Sequence, residues 1–145
     1  MLTRWLILPV LACLMAGCST MASFEVVNRS SSPLLIVLRW DDQASFPAVC
    51  QMRVIAAGGQ VEDRPARCEG RRMMLALAPG ERSLANIRMH NSGPLPPLPL
   101  ASLQLQGELG DEFLEGDVLQ ARFVSHGNGY RLIYAGRQSL PGKAS

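Results

Sequence analysis

Residues 34–40 have the sequence Leu34-Leu-Ile-Val-Leu-Arg-Trp40, an apolar run with a single charge. Such a short continuous run between turn signals is typical of a strand, and its near-complete hydrophobicity predicts burial on both faces. It follows Ser30-Ser-Ser-Pro33, which predicts a turn, and Phe24–Asn28 predicts a first short strand before that turn. The opening of the chain therefore predicts a β domain.

Later segments repeat the strand signal. Apolar residues alternate with polar ones, as in strands that turn every second side chain toward a core, and no segment keeps the 3.6-residue period of a helix. The alternating segments are residues 72–77, 85–90, 101–106, 119–124 and 130–134. We therefore predict a small all-β sandwich of about seven to eight strands, with the domain at residues 24–136 and a flexible C-terminal tail at 137–145.

The composition excludes a nucleic-acid partner. The chain has 145 residues, the size of one domain, and its 14 Lys and Arg against 12 Asp and Glu leave a net charge of +2. A near-neutral chain has no basic field that would attract a polyphosphate backbone.

The first residues predict a secretory signal. Arg4 precedes a nearly uninterrupted apolar run at residues 5–15, the arrangement of a charged n-region followed by an h-region. The run is shorter than the roughly 20 residues that a membrane-spanning helix needs, and Pro9 interrupts it.

The end of this run, Leu14-Met-Ala-Gly-Cys18-Ser19, resembles the lipobox of bacterial lipoproteins. The resemblance implies a signal peptide at residues 1–17, lipidation of Cys18 and a lipidated tether at residues 18–23. Ser19 stands where Asp would mark inner-membrane retention, so the resemblance implies an outer-membrane lipoprotein that faces the periplasm. Val10-Leu-Ala-Cys13 is a second lipobox-like sequence, but cleavage there would leave an unusually short signal.

Cys50 and Cys68 remain once Cys13 leaves with the signal and Cys18 carries lipid. In an oxidising compartment an even pair predicts a disulfide. The alternatives are a metal pair or a redox couple. Both are less favoured, because the spacing is not Cys-x-x-Cys and no histidine lies between the two cysteines.

The segment between the cysteines predicts a hairpin that turns at Gly58-Gly59. A three-residue loop of residues 58–60 pairs Ala57 with Val61 and places the two cysteines directly opposite each other. A two-residue loop would instead place Arg67 opposite Cys50. Pro65 predicts that the returning strand lies at a sheet edge.

Two turns carry a second resemblance. The strand-Asn28-x-Ser-Ser-x-Pro33-strand opening and the Leu77-Ala-Pro-Gly-Glu81 turn resemble bacterial immunoglobulin-like or transthyretin-like modules. The resemblance implies a sandwich fold and assigns no functional residue.

No catalytic site, metal site or cofactor is predicted. No Gly-x-Ser-x-Gly elbow is present, and His90 and His126 fall at polar or turn positions. The acidic stretch at 108–117 lacks the ligand spacing of a calcium loop. Met52, Met73, Met74 and Met89 with His90 would be soft ligands for copper, but most of these methionines occupy apolar positions where Met fills a core.

Two segments are candidates for contact with a partner. Phe113 and Leu114 form an apolar tip within the acidic stretch, whose alternative interpretation is a solvated hairpin end. Leu95 and Leu98 lie in Gly93-Pro-Leu-Pro-Pro-Leu-Pro99, which predicts an extended polyproline segment. The alternative there is a stiff crossover between two sheets.

These observations favour a lipid-anchored, non-enzymatic outer-membrane protein that binds another envelope protein. It would serve as an assembly or accessory factor of a secretion, pilus or conjugation machine, similar in plan to transthyretin-like secretion lipoproteins and β-sandwich pilotins. The alternative is a periplasmic ligand- or metal-binding lipoprotein of the copper or lysozyme-inhibitor type.

Overall fold

The computed structural model describes residues 21–88 and 95–135, where eleven strands form two sheets and one short helix connects them. The elements are β1 (Met21–Asn28), β2 (Leu34–Trp40), β3 (Gln51–Ile55), β4 (Val61–Pro65), β5 (Arg67–Glu69), β6 (Arg72–Leu77), β7 (Arg82–Arg88), β8 (Leu100–Gln106), β9 (Glu112–Glu115), α1 (Gly116–Arg122), β10 (Val124–His126) and β11 (Gly129–Tyr134). Sheet A has the order β10-β11-β1-β7-β3-β4, and sheet B has the order β5-β6-β2-β8-β9. The prediction of an all-β sandwich is confirmed.

The core lies between the two sheets, because alternate side chains of each strand point inward. Leu34, Ile36 and Leu38 of β2 are fully buried, and they pack with inward residues of sheet A such as Phe24. The Phe24 ring lies 6.4 Å from the Trp40 ring and 6.3 Å from the Phe123 ring, measured between centroids. Within the described ranges, no helix has the length and apolar character needed to cross a bilayer.

Sheet A contains one parallel pair, formed by β1 and β11. Their register runs from Ser23 opposite Gly129 to Asn28 opposite Tyr134. A Cβ atom at position 129 would lie 1.9 Å from the Ser23 carbonyl oxygen, so only glycine allows the two backbones to approach this closely. The pairing joins the first strand of the domain to the last.

The strand directions give the sandwich two distinct ends. The Met21 end, named for the first residue of β1, carries the loop at 41–50 and the crossover at 95–99. The Tyr130 hydroxyl donates a hydrogen bond to the Pro96 carbonyl, which attaches the crossover to sheet A. The opposite end, named the Tyr134 end, carries the turns at residues 29–33, 56–60, 78–81 and 107–111. The crossover connects β7 of sheet A to β8 of sheet B, which agrees with the crossover interpretation of the proline segment.

Residues 119–122 lie in α1 and Phe123 follows its last residue, so the strand predicted at 119–124 is wrong, although Val124 begins β10. Leu119 and Phe123 are buried, whereas Ala121, which a strand would turn to the same side, is exposed. Burial at positions i and i+4 without i+2 matches one turn of a helix. A segment of five residues is too short for the apolar pattern to separate the two periods. The helix leads the chain from the β9 edge of sheet B to the β10 edge of sheet A.

Two boundaries also differ from the sequence-based expectation. Met21–Ser23, which we expected in the tether, begin β1, because Ala22 is fully buried opposite Ile87. The strand count exceeds eight because several strands have only three or four residues, too few to show alternation. The predicted signal peptide, Cys18 and the tail at 137–145 lie outside the described residues.

The Cys50–Cys68 segment is not a single hairpin. In the β3–β4 pair Ile55 lies opposite Val61, two residues out of the predicted register. The Ala56 amide donates to the Gln60 carbonyl, so the three-residue loop is 57–59 rather than 58–60, and Gly59, with φ of +89°, occupies its left-handed third position. After Pro65 the chain leaves sheet A and enters sheet B as β5. The cysteines are therefore not opposite each other in one sheet.

Candidate binding surfaces

The disulfide between Cys50 and Cys68 connects the two sheets. Cys50 directly precedes β3 of sheet A, Cys68 lies in β5 of sheet B, and their Cα atoms are 6.0 Å apart. The predicted bond is present, but it joins the sheets where the chain passes from one to the other. Loop-closure entropy over 18 residues makes its contribution about 3 kcal/mol.

A partly buried ion pair reinforces the same side of the sandwich. Arg64 of β4 donates hydrogen bonds of 2.7 and 2.8 Å to Glu81 and one of 3.0 Å to the Ala76 carbonyl in sheet B. These bonds hold the pKa of Glu81 below its ordinary value, and a hydrogen bond from the Ala78 backbone adds to the effect. Arg64 is thus a structural residue.

The Asn-x-Ser-Ser-x-Pro motif is also structural. The buried Asn28 amide donates to the carbonyls of Ser32 and Leu77, and its oxygen accepts from the Ser30 backbone and hydroxyl. Glu108 accepts hydrogen bonds from Ser31 and Ser32, which lower the pKa of its exposed carboxyl. These bonds fix the β1–β2 turn against two neighbouring turns.

The structure separates the four predicted contact residues. Phe113 is 62% exposed at the β9 edge of sheet B, as predicted. Leu114 is only 6% exposed, because its side chain points inward opposite Leu103, so an apolar tip formed by both residues is wrong. Leu98 is 8% exposed and Leu95 packs against the core, so these leucines anchor the crossover rather than face solvent.

A larger apolar surface covers the outside of sheet B. On β2, Leu35 and Val37 point away from the core, and their cross-strand neighbours on β6 are Ala76 and Met74. On the other side of Val37, its cross-strand neighbour on β8 is Gln104, and the next residue in the same row is Phe113 of β9, whose ring is exposed. We call Leu35, Val37, Met74, Ala76 and Phe113 the apolar face. The uniformly apolar sequence of β2 was the signal for it: the strand is built for burial on both faces, and the described part of the chain covers only the inner one.

Two arginines adjoin the apolar face. Arg39 of β2 lies directly opposite Arg72 of β6, an arrangement in which like charges repel. Within residues 21–88 and 95–135 neither arginine forms an ion pair. All twelve Asp and Glu residues of the sequence lie in those ranges, so no acidic side chain elsewhere in the chain is available to neutralise this pair.

The outside of sheet A has paired charges instead. The Glu25 carboxylate, with 12% of its side chain exposed, lies 3.2 Å from the Arg131 guanidinium and 3.7 Å from that of Arg82. Nearer the β4 edge, Arg53 lies 3.2 Å from Asp63. The charged residues of this sheet therefore neutralise one another in part.

The remaining candidate chemistry is dispersed. Met52 and Met73 are in the core, Met74 is on the apolar face, and Met89 and His90 lie outside the described residues. In the part of the chain that the structure covers, no three His, Cys, Asp or Glu residues are grouped to hold a metal ion. Arg71 donates hydrogen bonds to the carbonyls of Asp41 and Ala44 and so fixes the loop at 41–50.

Comparison of the chain with models of protein families, with curated proteins and with solved structures found no match.

Proposed function

We propose that this protein is a lipid-anchored outer-membrane lipoprotein that faces the periplasm and binds another envelope protein through its apolar face. In this role it is a non-enzymatic assembly or accessory factor of a secretion, pilus or conjugation machine. The lipobox-like sequence supports the anchor, and the apolar face supports the binding function.

The early start of β1 supports a domain held close to the membrane. Only Ser19 and Thr20 separate Cys18 from Met21, where the strand begins. The three Cα-to-Cα steps from Cys18 to Met21 span at most about 11 Å, so lipidated Cys18 would hold the Met21 end near the bilayer surface. Three acyl chains, at about 0.8 kcal/mol per buried methylene, make such an anchor far stronger than a single myristoyl chain.

The apolar face is the observation that carries the binding function. Val37 is only 7% exposed although it points outward, because Met74 and Gln104 flank it, so a partner would meet a packed, preformed surface. Arg39 and Arg72 add two positive charges without an acidic partner. The complementary surface is therefore a protein surface with apolar side chains and at least one carboxylate that reaches between the arginines.

Site-specific photo-crosslinking in the native membrane tests the binding function. A crosslinking residue at position 35 of the full chain is expected to give one dominant adduct, with a single envelope protein, and substitution Arg72→Glu is expected to abolish that adduct. A crosslinker at Val61, which lies at the edge of sheet A and is more exposed than Leu35, is the control and should capture nothing specific.

Three results would contradict the binding function: equal capture from positions 35 and 61, no adduct from position 35, or a second copy of this chain as the captured molecule. The first would mean non-specific adhesion, and the last would mean a self-association surface.

Labelling with palmitate tests the anchor. Cys18→Ala is expected to abolish incorporation, whereas Cys13→Ala is expected to leave it unchanged, because only Cys18 follows the favoured lipobox-like sequence. Incorporation that survives Cys18→Ala would contradict the anchor assignment without bearing on the apolar face.

A further inference from the structure

The outside of sheet A contains a cavity at the Tyr134 end, with a volume of about 290 Å³. Val27, Ile55 and Ala57 supply its apolar part. The β6–β7 turn closes one side by pressing against the β3–β4 turn: a Cβ atom at Gly80 would lie 2.8 Å from that of Ala57, at a φ of +81° that favours glycine. The two turns thus shape a concave site above the sheet.

Three arginines, Arg29, Arg82 and Arg131, line this cavity, and its lining contains no carboxylate. Within residues 21–88 and 95–135, the only acidic group paired with them is Glu25, which lies next to Arg131 and Arg82 on the same face. Three guanidinium groups and one carboxylate leave a local charge of +2.

One nitrogen of these guanidinium groups is a buried donor without an acceptor in the described part of the chain. The Nε atom of Arg82 is buried and donates to no acceptor in the described part of the chain, since Glu25 is 3.7 Å away. A buried donor without an acceptor is unfavourable. An anion in the cavity would supply the acceptor and reduce the excess positive charge.

We propose that this cavity binds a soluble phosphate monoester that carries a small apolar group. A phosphate monoester has nearly two negative charges at neutral pH, which matches the local charge, and its oxygens fit the planar donor arrangement of arginine. Val27, Ile55 and Ala57 would contact the apolar group. The site is at the end of the sandwich opposite Met21, so if Cys18 is lipidated it faces away from the headgroups of the anchoring membrane. Binding of the ester itself depends neither on that anchor nor on the apolar face.

Calorimetric titration of the full chain, purified in a neutral detergent and a phosphate-free buffer, tests the proposal with butyl phosphate as the probe. We expect one site per chain and weaker binding of inorganic phosphate, which lacks the apolar group. Arg82→Gln and the more exposed Arg29→Gln should each weaken binding roughly tenfold or more, because each removes a charged hydrogen-bond donor. Arg67→Gln, a matched loss of charge at the edge of sheet B, should leave the affinity unchanged.

Glu25→Gln should change the affinity for butyl phosphate in the opposite direction from the arginine variants. Removal of the competing carboxylate should tighten butyl phosphate binding severalfold, which general damage to the fold would not produce. Thermal unfolding of each variant confirms that the comparison is between folded proteins.

Four outcomes would overturn the proposal: no binding of butyl phosphate, equal weakening by Arg67→Gln and Arg82→Gln, inorganic phosphate bound as tightly as the ester, or displacement of butyl phosphate by monomeric dihexanoyl phosphatidylglycerol. The last would assign the site to a lipid phosphodiester rather than to a soluble monoester.

Discussion

The outer surfaces of the two sheets differ although their inner surfaces are alike. Both sheets turn apolar side chains into one core, but on the outside of sheet A the charges are arranged in pairs such as Glu25 with Arg131. The outside of sheet B has an apolar centre, and its neighbouring Arg39 and Arg72 repel each other. Apart from the excess positive charge at its cavity, sheet A therefore pairs outer charges within the domain, whereas sheet B has a surface that association with a partner would complete.

Alanine substitution of an inward and of an outward leucine of β2 should change the free energy of unfolding by the most unequal amounts. Leu38→Ala, which opens a cavity in the core, should lower the free energy of unfolding by about 2–5 kcal/mol. Leu35→Ala on the apolar face should change it by less than about 0.5 kcal/mol, as is usual for surface positions. Urea unfolding of both variants measures the difference. An equal loss would mean that the apolar face is covered within the monomer.

Removal of Glu25 tests whether the charges of sheet A stabilise one another. Glu25→Ala should cost about 2 kcal/mol, because the poorly exposed Arg131 loses hydrogen bonds to a charged partner. Asp63→Ala, which breaks an exposed pair on the same sheet, should cost less than about 1 kcal/mol and serves as the control. Similar losses in chemical denaturation would show that the Glu25 pair acts only as a surface ion pair.

Acid should weaken the side of the sandwich where sheet A is tied to sheet B. The pKa of Glu81 lies below its ordinary value near 4.5, chiefly because Arg64 donates hydrogen bonds to it. The unfolded chain therefore binds the proton more readily, so this contribution is complete above pH 4.5 and decreases as the pH falls through the folded-state pKa.

The stability difference between the wild type and Glu81→Gln, less than about 1 kcal/mol at pH 7, should accordingly shrink toward pH 3. Unfolding at several pH values measures it, with Asp63→Asn, whose exposed carboxylate pairs with Arg53 and not with Arg64, as the control. A difference that does not change with pH would mean that Arg64 does not stabilise the ionised form.

Reversal of one charge on sheet B should have the smallest effect on stability, and it should raise stability rather than lower it. Arg39→Glu replaces a repulsive cross-strand pair by an attractive one, so it should stabilise the isolated domain by about 0.2–1 kcal/mol. Thermal unfolding detects the gain, and Arg67→Glu is the control. A loss of stability would indicate that another group already neutralises Arg39, and the contrast between the two outer surfaces would then disappear.

The candidate site was only partly predictable. Phe113 was expected to be exposed and is, but Leu98 and Leu114 are in the core. Leu35 and Val37 were recognised as members of a strand suited to burial on both faces, yet a sequence does not state whether a second layer covers the outer one. The segment at 119–123 fitted both a strand and a helix turn, and only its place between two sheet edges selects the helix.

The sequence by itself determined the local properties of this protein. It gave the bounds of β2 and β6 and the disulfide partners, because alternation and cysteine pairing are legible in a short stretch. The tertiary structure alone decided that the disulfide joins two sheets, that β1 pairs in parallel with β11, and that Glu25 meets Arg131, 106 residues away. Such contacts depend on the order of strands in the sheets, and many strand orders bury the same apolar residues equally well.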